Sequence, residues 1–428
     1  MKYLIISLLV TTCFVPFGQA QIIDPAGTVK RKATDRANGR IDQSIDQGFD
    51  KAEEGIGNLF RKKEKNKSAG EPPSLPPEKE KATWQETENI RDAKAPFATY
   101  SKFDFLPGEK IIAIEDFSQD AIGDFPARWD TDGSGEVVSL SGKSGHWLRF
   151  SGEGSFYPEF VPVLSENTTI EFELGTDQAH QVLTMVRFVD VKSNARILNR
   201  RFANQVTVSL SPLGSTDVEV RASDESQVLQ NHREIDLWKV PNKPFVRISI
   251  WRQKHRLRVY MDQVKVWDIP RAFQAEADYR LVFETSTFFV ENRQLLLSDL
   301  RVAEGLPDMR SKLLTEGKLV TTGILFDTGS EVIKRVSYGV LEEIAKTLND
   351  TPTLNVRITG HTDNQGNAQS NLTLSTRRAE AVKEALIKTW GISASRLLTE
   401  GKGQTLPVAD NQSSEGRANN RRVEFTKL

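Results

Sequence analysis

The 428-residue sequence predicts a multidomain chain: an all-β sandwich followed by an α/β domain, behind a helical N-terminal arm. Two changes of texture carry this reading. Between about Lys110 and Glu304, short alternating apolar runs are separated by Gly, Asp, Asn and Pro, with almost no helical periodicity. After Pro307, apolar strands alternate with helical stripes, the pattern of a β/α domain. At roughly 100 to 200 residues per domain, the length agrees with two or three domains.

Composition narrows the function classes. Lys plus Arg number 57 against 58 for Asp plus Glu, a formal net charge of -1, so the chain as a whole implies no global polyanion or polycation binding, and no nucleic-acid partner is expected. The single cysteine, Cys13, lies in an apolar N-terminal stretch, which leaves no disulfide framework, Cys-based zinc site or thiol nucleophile to expect. No cofactor is expected either.

Residues 1–20 combine Lys2, the apolar run Leu4 to Val10 and the small-residue pattern Gly18-Gln19-Ala20, the three parts of an export signal cleaved before Gln21. Lipid attachment at Cys13 is the competing reading, but Thr12 stands where Gly, Ala or Ser is usual. Residues 21–67 form the charged arm, in which Ile41, Ile45, Phe49, Ala52, Ile56 and Phe60 recur at helical spacing. Such a stripe needs a partner surface, whether another chain, the rest of this chain or a membrane face. Residues 68–109 read as a linker, stiffened by Pro72-Pro73 and Pro76-Pro77.

Residues 110–305 are the expected sandwich, with strands at Thr169 to Leu174, Val182 to Phe188, Val206 to Leu210, Val246 to Trp251, Leu257 to Met261 and Leu295 to Val302. An outer-membrane barrel fits the length, but Arg252, Lys254, Arg256 and Arg258 crowd one hairpin where a lipid-facing band should be apolar. Asp130, Asp132, Ser134 and Gly135 match positions 1, 3, 5 and 6 of a calcium loop, yet Ser141 stands where an EF-hand needs Glu; an Asp/Gly turn or a looser calcium site remains. Trp129, Trp147, Trp238, Trp251 and Trp267 serve either a core or an aromatic glycan platform. A glycan hydrolase would need paired carboxylates, for which Glu171, Glu173, Glu219 and Glu284 are candidates.

Residues 310–428 are the α/β domain, with strands expected at Leu319 to Phe326, Leu354 to Thr359 and Val423 to Phe425. Tyr338, Leu341, Ile344, Ala345 and Leu348 make one helical face, and Ala379, Val382, Leu386 and Trp390 another. The polar cluster Gly360-His361-Thr362-Asp363-Asn364 ends a strand, and Arg378 is expected in the opening turn of the second helix. An anion and a planar cation so placed either clamp a zwitterion or bridge each other. His361 beside an aspartate raises acid-base catalysis, but no nucleophile or metal ligand stands at a recognisable spacing. The region from Arg310 holds 17 Lys or Arg and 13 Asp or Glu, a formal +4 that favours an anionic polymer.

Four ordered motifs, Ile324-Leu325-Phe326-Asp327, Gly360-His361-Thr362-Asp363, Asn371-Leu372-Thr373-Leu374-Ser375-Thr376-Arg377-Arg378-Ala379 and Glu415 to Val423, resemble the OmpA-like C-terminal domain over roughly Leu319 to Leu428. The resemblance implies a peptidoglycan-binding domain in which Asp363 and Arg378 hold the ammonium and carboxylate of diaminopimelate in the peptide stem. It implies Asp327, Thr362, Asn371, Leu374 and Arg421 as further pocket residues, and His361 as a loop-fixing residue. The middle region is loosely similar to concanavalin-like jelly-roll domains, on Leu257 to Trp267 and Asp116 to Trp129. The expectation is then a periplasmic, outer-membrane-associated envelope protein of a Gram-negative bacterium, a binder and not an enzyme. Its C-terminal domain anchors to peptidoglycan, and its jelly-roll-like sandwich engages another envelope protein or a glycan. A wall-anchored glycan-active enzyme is the alternative; a motor-stator subunit fits less well, because those chains keep an N-terminal membrane helix.

Overall fold

The computed structural model describes residues 103–177, 182–192, 204–287, 295–305 and 308–428, which all fall within one compact unit. The segments read as an export signal, a helical arm and, as far as residue 102, a linker lie outside the described residues.

The alternating runs of the middle region form strands because every second side chain is apolar and can face a common core. In chain order they are β1 (Lys110–Glu115), β2 (Trp129–Thr131), β3 (Gly135–Leu140), β4 (Lys143–Phe150) and β5 (Gly154–Pro158). There follow β6 (Asn167–Thr176), β7 (Val182–Asp190), β8 (Gln205–Ser211), β9 (Leu213–Arg221) and β10 (Gln227–Lys239). The series ends with β11 (Phe245–Gln253), β12 (Arg256–Met261), β13 (Val264–Ile269), β14 (Tyr279–Thr287) and β15 (Leu295–Glu304). They make two open sheets: an eight-stranded one in the order β13-β12-β11-β6-β15-β4-β3, with β1 also paired to β15, and a seven-stranded one in the order β10-β9-β8-β7-β14-β5-β2. Ile170, Phe172, Ile248 and Ile250 from the first and Val186, Phe188, Val208 and Phe283 from the second share a single hydrophobic core. Two open sheets facing one core replace the closed barrel as the architecture of these residues.

Alternation then puts Glu171 and Glu173 of β6 and Arg247, Ser249 and Trp251 of β11 on the other face of the eight-stranded sheet. On β15 a bulge resets the parity. Ser298 pairs with Glu173 and Arg301 with Glu171, three residues spanning what two span on β6, with Asp299 at φ 51° as the extra residue. Leu300 and Val302 thereby stay in the core while Arg301 turns to the outer face.

The C-terminal domain consists of β16 (Lys318–Thr321), α1 (Tyr338–Asp350), β17 (Val356–His361), α2 (Ala368–Trp390), β18 (Leu397–Gly403), α3 (Ser414–Asn420) and β19 (Val423–Lys427). Its sheet runs β16-β19-β17-β18, with only β17 and β18 parallel. Leu341, Ile344 and Leu348 of α1 and Ala379, Val382 and Leu386 of α2 cover it on one face, as the helical stripes predict. Tyr338 and Trp390 close the rim, their rings 5.9 Å apart. The first strand stops at Thr321 and not at Phe326: Leu325 N–H is captured by Ser337 Oγ at 2.8 Å, and Phe326 pairs only with Ile333. β18 carries two glycines and polar residues, so its sequence has no strand signature.

The C-terminal domain docks on the outer face of the eight-stranded sheet. Phe103 and Phe105, at the end of the segment read as linker, pack on Trp251 and Tyr260, and Leu106 reaches the C-terminal core. Asn419 at the end of α3 acts as a strand partner for β1: its Oδ1 accepts from Ile111 N–H at 3.0 Å and its Nδ2 donates to Ile111 C=O at 2.9 Å. Arg301 donates to Thr322 O and Oγ1, at 3.1 and 2.7 Å.

Candidate functional site

β17, an interior strand, delivers Gly360 and His361 to its C-terminal end, and Thr362 and Asp363 follow it, both buried. The helix α2 crosses so closely here that a Cβ on Gly360 would overlap the Ser375 carbonyl oxygen. The loop is stitched in place from several sides. Thr362 N–H donates to Gly403 O at 2.9 Å, and Thr362 Oγ1 donates to Asp363 O at 2.9 Å. Asn371 Nδ2 donates to Gln365 O at 2.9 Å and Gln404 Oε1 at 2.7 Å, with Asp363 O at 3.3 Å.

The carboxylate of Asp363 accepts from Arg421 Nη1 at 2.6 Å and from Gln365 N–H at 3.1 Å. Arg378 does not bridge to it. Arg378 Nε donates to Ser330 O at 2.9 Å, Nη2 reaches Asp327 O at 3.4 Å, and the guanidinium lies 4.8 Å above the Phe326 ring. Burial pulls the Arg378 pKa below its usual value, and the like charge of Arg421 adds to this while Asp363 opposes it. Asp363, Arg421 and Arg378 thus form one electrostatic cluster in which the acid is held by one arginine and the second arginine has only carbonyl partners.

The expectation that Arg378 opens its helix is corrected. α2 begins ten residues earlier, capped by Asn367, whose Oδ1 accepts from Gln369 and Ser370 N–H at 2.8 and 3.2 Å. The polar first turns of α2 lack an apolar stripe and so hid its start; Arg378 stands mid-helix, away from the positive helix end. Asp327 is exposed and contributes its backbone carbonyl to Arg378, while its side chain sits 4.0 Å from Lys334 Nζ. Leu374 is half-buried one turn before Arg378.

His361 is buried, with Nε2 3.6 Å from Glu424 Oε1. Glu424 also takes Arg422 Nε at 2.8 Å and Lys318 Nζ at 2.8 Å. Burial acts to raise the Glu424 pKa, but the His361, Lys318 and Arg422 contacts outweigh it and hold the carboxyl well below the usual carboxylate range. Of this cluster the sequence singled out only His361; Arg422, and Phe326 beneath Arg378, had membership of the motifs as their only signal, and Lys318 and Glu424 lie outside the motifs altogether.

In the sheet domain, the five tryptophans considered as glycan platforms are all buried, at 9% exposure or less, which corrects that reading: Trp129, Trp238 and Trp267 fill the core, Trp251 the domain contact, and Trp147 packs against Phe245. Glu171 faces Arg247 at 3.4 Å, Glu173 pairs with Lys143, Glu219 with Arg221 and Glu284 with Arg187. Asp130 Oδ1 accepts from Thr131 N–H at 2.8 Å and Asp132 Oδ1 from Ser155 N–H at 2.6 Å, the work of turn residues.

Comparison with known proteins adds the family. Outer membrane protein Omp38 of Acinetobacter baumannii is 42% identical over 110 residues, 26% of this chain and 31% of that protein. The Escherichia coli protein named "Probable lipoprotein YiaD" is 41% identical over 103 residues, 24% of this chain and 47% of its own. Peptidoglycan-binding protein ArfA of Mycobacterium bovis is 38% identical over 107 residues, 25% of this chain and 32% of that one. The chain therefore spans between about a third and a half of these relatives' lengths. Residues 325–421 match the model of the OmpA family, and with the loop, helix and charge cluster described above they make the C-terminal domain of this chain an OmpA-like domain.

Proposed function

We propose that this protein is a non-covalent anchor between the bacterial cell wall and another envelope component. Its OmpA-like domain binds the peptide stem of peptidoglycan, with Asp363 receiving the ammonium and Arg378 the carboxylate of the diaminopimelate side chain. The observation that carries this reading is the unshared pair: Asp363 and Arg378 lie in one charge cluster, yet Arg378 has no carboxylate partner among the described residues. An internal salt bridge would have used both charges. Arg421, which holds Asp363 at 2.6 Å, positions that acid. Asn371 and Thr362 fix the loop, while Asp327 and Leu374 border the site. The relative named for peptidoglycan binding and the family match support the same assignment.

The two-sheet domain, jelly-roll-like in its sequence, is assigned to a further envelope component. Its carboxylates are occupied by cations and its tryptophans are buried, which supports a binding role over glycan cleavage. An export signal at residues 1–20 and the OmpA-like relatives support a place in the periplasm at the outer membrane of a Gram-negative cell. The test is retention of the full chain on purified sacculi, with elution by free diaminopimelate-containing tripeptide. Retention that the lysine-containing tripeptide competes equally well would contradict recognition of the second carboxylate.

A further inference from the structure

A cavity of about 460 Å3 lies between the eight-stranded sheet and the OmpA-like domain. That size is in the range of small-molecule sites, and both domains contribute walls. Arg378, Arg421 and His361 reach it from the OmpA-like side, and Arg301, Arg247 and Glu115 from the sheet. Four of these side chains carry buried polar atoms without a hydrogen-bond partner: Arg301 Nε, Arg247 Nε, Glu115 Oε2 and His361 Nδ1. Arg301 and His361 are 6% and 3% exposed. So many unmet donors and acceptors around one space are costly unless something polar fills it.

The charge balance says what kind of group that is. Arg421 is held by Asp363, and Arg422 by Glu424. Among the described residues Arg301 and Arg378 have no carboxylate within ion-pair distance; their hydrogen-bond partners are the oxygens of Thr322 in one case and of Ser330 and Asp327 in the other, and the attraction on Arg301 comes from its cross-strand neighbour Glu171, which Arg247 already holds at 3.4 Å. The like charge of Arg421 acts on both. Two guanidinium groups, those of buried Arg301 and half-buried Arg247, thus share the one carboxylate of Glu171, which leaves positive charge incompletely balanced, and the bulge at Asp299 stands at the point on β15 that turns Arg301 into this space.

We propose that the cavity is the second half of the stem-peptide site, in which Arg301, with Arg247 beside it, seats a carboxylate of the same peptide whose diaminopimelate end is held by Asp363 and Arg378. The inference rests on the peptidoglycan reading above and adds that the sheet domain takes part in recognition. The peptide stem carries further carboxylates along its length, so one ligand can engage both arginines across the domain boundary, and a planar guanidinium suits each.

Calorimetry of the full chain with the soluble diaminopimelate-containing tetrapeptide tests this. Arg301→Gln and Arg247→Gln should each weaken binding roughly tenfold or more, the loss of one charge-assisted contact. Arg301→Gln also removes the contact to Thr322, so a ligand-side change provides the independent arm. Peptides with each remaining carboxylate amidated in turn should include one that binds wild type roughly tenfold more weakly and is no longer sensitive to Arg301→Gln. Loss of binding in Arg378→Ala with wild-type affinity in both sheet-domain variants, or amidated peptides that all bind as the parent does, would overturn the inference alone. Wild-type affinity in Arg378→Ala, or no binding by wild type, would overturn the peptidoglycan reading and this inference with it.

Discussion

Removing the Asn419 side chain should loosen the joint between the two domains. Asn419 meets the free edge of β1, accepting from Ile111 N–H at 3.0 Å and donating to Ile111 C=O at 2.9 Å. Ile111 is 4% exposed, so in Asn419→Ala neither backbone group has easy access to water. At about 1 to 3 kcal/mol for each unmet buried group, partly relieved by local adjustment, the expected loss is about 2 to 4 kcal/mol. For a cooperative unit of roughly 300 residues the unfolding entropy is about 0.6 kcal/mol per kelvin, so the midpoint should fall by roughly 3 to 6 °C. Differential scanning calorimetry of the full chain reads this directly. A second outcome consistent with the joint is a split of one transition into two, with the C-terminal domain melting separately. The neighbouring contacts of Ala418 with Ile111 and of Glu415 with Arg128 remain in the variant, which isolates the amide. A midpoint and transition shape identical to wild type would refute the claim that Asn419 pairs the domains.

Three further outcomes are expected. Gly360→Ala forces a methyl group into the Ser375 carbonyl oxygen and should destabilise by about 2 kcal/mol or more, read as a lower denaturation midpoint; an unchanged midpoint would show that α2 does not cross there so closely. Glu424→Gln should cost about 2 to 3 kcal/mol at pH 7, because Arg422 and Lys318 lose their common carboxylate. Since the Glu424 pKa is lowered in the fold, wild type should hold this contribution above the unfolded value near 4.5 and lose it as pH falls below that, while Glu424→Gln lacks it throughout; parallel pH-stability curves would contradict the assignment. Phe326→Ala removes the ring under Arg378, which also packs on the C-terminal core, and should weaken sacculus binding by the folded protein a few-fold; unaltered binding would exclude a positioning role for the ring.

Period and punctuation made much of the fold legible. The runs at Thr169 to Leu174 and Val246 to Trp251 lie within β6 and β11, and the stripe Leu341, Ile344, Leu348 faces the C-terminal core. What stayed hidden has physical reasons. The start of α2 is polar because that face borders the site and not the core, so hydrophobic periodicity could not mark it. β18 is held by its neighbour β17 and not by its own propensity. At the site, the motifs pointed to Asp363, Arg378 and Arg421, but the choice of Arg421 as the partner of Asp363 depends on residues 58 positions apart. The parity of Arg301 depends on a bulge that alternation alone assigns the wrong way, and the Asn419 contact joins residues 308 positions apart.

The anchoring claim is tested most directly by sacculus pull-down of Asp363→Ala and Arg378→Ala in the full chain, each with a melting curve. Each variant leaves one ligand charge unmatched, a loss of about 2 to 3 kcal/mol or roughly 30- to 150-fold in affinity. The account predicts that both variants lose most retention while remaining folded, and that Arg378→Lys, without a planar fork, is also impaired. Folded Asp363→Ala or Arg378→Ala protein that is retained on sacculi as wild type is would contradict it.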